Sequence, residues 1–157
     1  KRRHFKIMIK QITGNFFTID AQVKVHQVNC KGKTEKGLSE QIYEQYPESY
    51  HVYKNLCKSD RHGNNMGTVH INKISQDTYL CHLFAQEDYG PNTRQTDYTA
   101  FNKGLTHLKN YMRKHNLTTC LLPKFIGCED GRGDWKTIYG IIKSQFKNDE
   151  ITCYVLS

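Results

Sequence analysis

The chain is 157 residues long with a net charge of +8 and a pI near 9.2. That length suits one domain with a full core, residues 1–157. No apolar run approaches the roughly 20 residues that a membrane helix needs, and the basic Lys1-Arg2-Arg3-His4 start leads into an alternating segment rather than a secretory leader.

Six cysteines are present (Cys30, Cys57, Cys81, Cys120, Cys128 and Cys153). Cys81, Cys120 and Cys153 sit inside apolar strand-like runs, where a thiol acts as a small hydrophobe. With no C-x-x-C and no tight Cys/His cluster, free thiols, a cytoplasmic setting and no metal or other cofactor are expected. The positive charge makes nucleic acid a partner to consider. Apart from the first ten positions (Lys1, Arg2, Arg3, Lys6, Lys10), however, the basic residues are spread along the chain, and a basic solvated surface is the favoured reading.

Residues 5–12 alternate apolar and polar side chains as a half-buried strand does. Gly14-Asn15 ends that strand and Phe16-Phe17 turns the chain back to the core. A short strand, 23–28, follows. A helix from about Gly37 to Tyr46 carries Leu38, Ile42 and Tyr46 on one stripe and stops at Pro47. Proline is welcome in a first turn, so a second helix is predicted from there to about Lys58, with Tyr50, Tyr53 and Cys57 on one face. Strands 67–74 and 78–85, joined by Ser75-Gln76-Asp77, read as an antiparallel hairpin. After the polar loop 86–96, Thr96 or Asp97 caps a helix to about His115 with Tyr98, Phe101, Leu105, Leu108 and Met112 inward. Strand 118–122 ends at Pro123. The last helix, 134–147, buries Trp135, Ile138, Ile142 and Phe146, and strand 151–156 closes the chain. This order predicts an α/β fold, a three-layer α/β/α domain around a mixed, mostly parallel sheet.

The chain is organised around residues 23–47. A strand delivers His26, Gln27 and Asn29 to a loop with Gly32 and Gly37, and a helix begins there. Open α/β sheets hold phosphates in this way. Three loops, 29–37, 86–96 and 124–134, leave the carboxyl ends of strands. They contain Gly32, Gly37, Gly90, Gly127, Gly131 and Gly133, six of the chain's eleven glycines. Glycine lets a backbone come close to a pyrophosphate.

Four stretches stand out in order: Ile12-Thr13-Gly14-Asn15-Phe16; Val25-His26-Gln27-Val28-Asn29-Cys30; Leu83-Phe84-Ala85-Gln86 with Tyr89-Gly90 and Arg94-Gln95-Thr96-Asp97-Tyr98; and Ile126-Gly127-Cys128 followed by Gly131 and Gly133-Asp134-Trp135-Lys136. On these stretches the sequence resembles the macro domain family, particularly a branch similar to ADP-ribose 1''-phosphate phosphatases of phages, bacteria and fungi.

The resemblance implies a site for ADP-ribose or a derivative, with ADP-ribosylated macromolecules as further partners. Gly14, Asn15 and Phe16 would lie near the adenine end. Gln27, Val28 and Asn29 would line the distal ribose. Thr34, Glu35, Lys36, Gly37, Leu38 and Ser39 would form the first phosphate loop. Ile126, Gly127, Cys128, Gly131 and Arg132 would form the second.

Two departures stand out. The first loop reads Lys33-Thr34-Glu35-Lys36-Gly37 where the family is richer in small residues. Glu129 and Asp130 bring carboxylates to the second loop, where they are either solvent-facing, general bases for an attacking water, or signs of a different ligand. His26 is the other catalytic candidate, as an acid or base near neutral pH. A related branch, which removes ADP-ribose from protein or DNA, uses a lysine after the hairpin strand. Gln86 matches that position and cannot form a Schiff base. The leading expectation is a hydrolase converting ADP-ribose 1''-phosphate to ADP-ribose; the alternative is a non-catalytic binder of ADP-ribose or a nucleotide signal.

Overall fold

The computed structural model describes residues 8–60, 62–90, 94–129 and 131–157. Its strands are β1 (Ile9–Ile12), β2 (Val23–Asn29), β3 (Val69–Lys73), β4 (Tyr79–Gln86), β5 (Thr119–Leu122) and β6 (Thr152–Leu156). Its helices are α1 (Leu38–Gln45), α2 (Pro47–Ser59), α3 (Tyr98–Lys114) and α4 (Trp135–Phe146). The strands form one sheet in the order β1-β6-β5-β2-β4-β3. All neighbours run parallel except the β3–β4 hairpin. The predicted strand 5–12 is seen as Ile9–Ile12, and its first three positions lie outside the described residues.

Alternation along the central strands splits the core into two layers. Val23 and Val25 of β2 and Cys81, Leu83 and Ala85 of β4 pack with Phe101, Leu105, Leu108 and Met112 of α3 and Ile138, Ile142 and Phe146 of α4. The opposite face carries Val28, Leu80 and Phe84 against Ile42, Tyr43 and Tyr53 of α1 and α2. The architecture is therefore three-layered, α/β/α. The helix starts follow their caps. Asp97 accepts from Ala100 N at 3.0 Å and Asp134 from Thr137 N at 2.9 Å, each satisfying an N–H that the first turn leaves open.

Two stripe expectations shift. In α1 the fully buried partner of Ile42 is Tyr43 rather than Tyr46, because α2 starts at once and stacks Tyr53 on Tyr43 at 5.5 Å. Trp135, expected inward, is only half-buried at the start of α4, stacked on Tyr139. All six cysteines are free, with Cys81, Cys120 and Cys153 fully buried in strands.

The sheet order places the site. β2 lies between β4 and β5, but β5 is short and pairs with it only at Val23 and Lys24. The rest of β2 runs on beyond β5 toward the carboxyl edge. Against β4 the register shifts between Val28 and Asn29, so that Asn29 pairs with Gln86. A bulge at a strand end re-aims the side chains that follow, and here the Asn29 side chain meets Tyr53 of α2. No helix among the described residues is long and apolar enough to cross a membrane.

Candidate ligand-binding cleft

A cleft of about 260 Å3 opens where β2 outruns β5. Its floor is the end of β2: His26, Gln27, Val28 and Asn29. One wall is the first loop and the start of α1, through Thr34, Glu35, Lys36, Leu38 and Ser39. The other is the loop after β5, through Ile126, Gly127, Glu129 and Gly131. Phe16 and Gln86 close the ends. These predicted residues are thus brought together from segments as far apart as Phe16 and Gly131. Gly14, Asn15, Gly37, Cys128 and Arg132 flank the cleft lining without joining it, and Asp130 lies outside the described residues.

The first loop is organised by Asn29, which is 2% exposed. Its Oδ1 accepts from Lys31 N at 3.0 Å, Lys33 N at 3.3 Å and Tyr53 OH at 2.9 Å. Its Nδ2 donates to Lys33 O at 2.7 Å and Glu35 Oε1 at 3.2 Å. An amide offers two donors and two lone pairs, and Asn29 uses them to fold the loop while its side chain lines the cleft floor. Glu35 also accepts from Gln86 Nε2 at 2.7 Å, which turns its carboxylate onto the floor. α1 then begins without a side-chain cap: Gly37, at φ 105°, precedes it, and the first backbone bond into the helix is from Gln41 N to Gly37 O. The leading N–H groups of α1, at Leu38 and Ser39, stand at the cleft wall and favour an anion.

The second loop is built by close backbone approach. Thr96 Oγ1 donates to Gly127 O at 2.7 Å and accepts from Gln27 Nε2 at 2.8 Å. Gln95 N and Thr96 N both donate to Gly131 O at 2.9 Å. Gln27 Nε2 also reaches Gln86 Oε1 at 2.7 Å. Two buried polar atoms at the cleft, Gln27 Oε1 and Thr34 Oγ1, have no hydrogen-bond partner among the described residues. Cys128 is held inert: burial first, then Asp134 and Glu129, push its thiol up to about 11.

Lys33, Lys124 and Phe125 also line the cleft and were not anticipated. Phe125 is 39% exposed with Lys124 Nζ 4.9 Å from its ring centre. Three lysines (Lys33, Lys36, Lys124) thus face two glutamates (Glu35, Glu129) around the cleft. Glu129 itself is exposed at the mouth.

His26 departs most from expectation. It is 1% exposed, its Nδ1 lies 2.9 Å from Ser39 Oγ, and its Nε2 lies 3.0 Å from His82 Nδ1. Burial lowers its pKa to about 3, and burial with its neighbours His26 and His70 lowers that of His82 well below the ordinary value. Burial thus favours the neutral form of both rings near pH 7, and His26 lines the cleft floor with both ring nitrogens engaged.

The unfolded chain takes up a proton at each ring below about pH 6.5; the folded chain does so at His26 only near pH 3. Between those values the unfolded state binds more protons, so stability falls as the pH falls. From pH 7.5 to 5.0, His26 alone is expected to remove about 2 kcal/mol. Urea midpoints at both pH values check this, and His26→Gln should flatten the decline. An equally steep decline in the variant would assign the titration to other groups.

Among the described residues no group of three or more His, Cys, Asp or Glu side chains is placed to hold a metal ion. No protein-family model matches the sequence. The chain is 23% identical over 141 residues to the DNA ADP-ribosyl glycohydrolase of Mycobacterium tuberculosis, a match covering 89% of this chain and 39% of that protein. The chain therefore spans well under half the length of the curated relative it matches. Among solved structures, the macrodomain of Mycobacterium tuberculosis DarG superposes with a TM-score of 0.82 at 21% identity, over 94% of this chain and 96% of that one. Thermosipho africanus DarTG in complex with ADP-ribose superposes with a TM-score of 0.74 at 18% identity, over 90% of this chain and 39% of that one. With agreement over nearly the whole of both chains in the first of these comparisons, the chain has the macrodomain fold.

Proposed function

We propose that the cleft binds ADP-ribose or an ADP-ribose derivative and that the chain hydrolyses the derivative, ADP-ribose 1''-phosphate first among candidates, by attack of water. One observation carries this reading: the uncapped start of α1 and the glycine-built loop after β5 face each other across a cleft at the carboxyl ends of β2, β4 and β5. N–H groups of a helix start beside lysines suit a diphosphate without a metal. The solved relative with ADP-ribose bound supports the ligand class.

Water is the nucleophile in this reading. Gln86, at the position of the lysine used by the deribosylating branch, is 3% exposed. Its amide is committed to Glu35, Asp88 O and Gln27. His26 has both ring nitrogens engaged. Glu129, exposed on the cleft wall, is the carboxylate best placed to take a proton from water. A general base contributes about a hundredfold or more to the rate.

Calorimetry with ADP-ribose and phosphate release from ADP-ribose 1''-phosphate test the two halves separately. Binding is expected, with release that falls about a hundredfold in Glu129→Gln at unchanged affinity. No heat and no thermal shift at millimolar ADP-ribose would remove the ligand class. Binding without phosphate release in the wild type would make the protein a binder, the reading favoured by its lack of a covalent nucleophile at Gln86.

A further inference from the structure

Under the cleft runs a buried polar chain that the proposed hydrolysis does not use directly. His26 of β2 and His82 of β4 are register partners on the face covered by α1 and α2. Ser39 Oγ lies 2.9 Å from His26 Nδ1, and His26 Nε2 lies 3.0 Å from His82 Nδ1. His82 Nε2 lies 2.9 Å from Asn72 Oδ1, and Asn72 Nδ2 donates to Ser49 Oγ at 2.9 Å. The two rings are 1% and 0% exposed, with Tyr43 and Tyr53 stacked over His82.

The far end of this chain sets the protons at the near end. Asn72 turns its carbonyl to His82, so His82 Nε2 carries the proton. A neutral imidazole has a single N–H, which leaves His82 Nδ1 bare. That nitrogen faces His26 Nε2, which must then be the donor. His26 Nδ1 is bare in turn, and the Ser39 hydroxyl donates to it. Tyr43 OH, 3.1 Å from His82 Nδ1, shares that nitrogen's one lone pair with His26 Nε2.

We propose that this relay makes Ser39 an acceptor-only group in the cleft, a subsite for a neutral sugar hydroxyl that disfavours a phosphate oxygen at the same point. The proposal rests on reading the cleft as an ADP-ribose site. The single proton of Ser39 is committed to His26, and its two lone pairs are left as acceptors at the cleft lining. A sugar hydroxyl donates to it. A phosphate oxygen, ionised at neutral pH, would set lone pair against lone pair. His82 and Asn72 act through His26 and are positioning residues; with Asn72 turned the other way, every tautomer would reverse and Ser39 would donate.

Nitrogen-15 spectra of the full chain at pH 7 read the relay directly. Protonated Nε2 and bare Nδ1 are expected for both His26 and His82; reversed tautomers or a doubly protonated ring would overturn the proposal. Ligand titrations read the subsite. Ser39→Ala should weaken ADP-ribose about tenfold, the scale of one hydrogen bond, and leave inorganic pyrophosphate unchanged, with Ser39→Thr restoring the difference. Asn72→Ala should lower the preference for ADP-ribose over pyrophosphate by a similar factor. A wild type that binds no ADP-ribose removes the cleft reading and the subsite together. A wild type that binds it, with Ser39→Ala weakening both ligands equally or neither, removes the subsite and leaves the cleft reading standing.

Discussion

Asn29→Ala is expected to abolish measurable ADP-ribose binding while the protein stays folded. The side chain makes five hydrogen bonds that shape residues 31–35; of their partners, Tyr53 OH has a second acceptor in Asn29 O at 2.7 Å and Glu35 Oε1 a second donor in Gln86 Nε2 at 2.7 Å. Without the amide the loop must be ordered by the ligand itself, at about 1–2 kcal/mol for each residue fixed. Ordering two or three residues costs roughly a hundredfold or more in affinity. Stability should fall by about 2–3 kcal/mol, the cost of leaving buried polar groups unsatisfied. Asn29→Asp separates the contributions. It keeps the acceptor for Lys31 N and Lys33 N, loses the donor to Lys33 O, and sets a second carboxylate 3.2 Å from that of Glu35. It should therefore unfold at lower denaturant than wild type and bind as poorly as the alanine variant. Calorimetry and urea titration check both, and an alanine variant within threefold of wild-type affinity would show that the loop holds itself.

Gly131→Ala should be nearly as damaging, by crowding rather than by lost contacts. A Cβ there would stand 2.0 Å from Thr96 Oγ1, 2.8 Å from Gln27 Nε2 and 2.9 Å from Gly127 O. None of these is the free end of a flexible side chain. Thr96 is held by Gln27 and Gly127, and the Gly127 carbonyl is itself fixed by Thr96 Oγ1 and Gly133 N. Overpacking costs about 1–3 kcal/mol where the structure can yield; here the loop must separate from Thr96, which opens one wall of the cleft. The expected result is a folded protein, destabilised by about 3 kcal/mol, that has lost ADP-ribose binding. Gly140→Ala, where nothing lies within 4 Å, is the matched control and should change neither quantity.

The layer order and most element ends were legible in the sequence because they rest on local rules. Pro47 starts α2, Asp97 and Asp134 cap their helices, and alternation in β2 and β4 assigns side chains to faces. The cleft was legible as a place, since parallel strands put their following loops at one edge. What the residues do inside it was less so. The second task of Asn29, its bond to Tyr53, was hidden because spacing does not reveal the bulge that turns it there. His26 looked titratable because its partner, His82, is 56 positions away and becomes a neighbour only through the β2–β4 register. A signal was present in β4, where His82 interrupts an apolar run, but in β2 Lys24 and Gln27 masked the same signal at His26. Two polar interruptions on buried strands call for each other as partners. The crowding of Gly127, Gly131 and Gly133 also depends on Thr96 arriving from another loop.

The row of polar side chains on the α1/α2 face has a consequence for how this protein can be improved. Lys24, His26 and His82 occupy sites where Leu or Phe of similar volume would be free of desolvation costs. Selection for heat resistance or for higher expression should therefore find apolar replacements at these three positions. At His26, which lines the cleft floor, and at His82, its register partner, each such gain would rebuild the base of the proposed ligand site, whereas Lys24, bonded to Phe17 O, does not line it. Under the proposed function, thermal robustness and ligand recognition are set against each other at two neighbouring positions of the sheet, and a library scored for the first alone would lose the second.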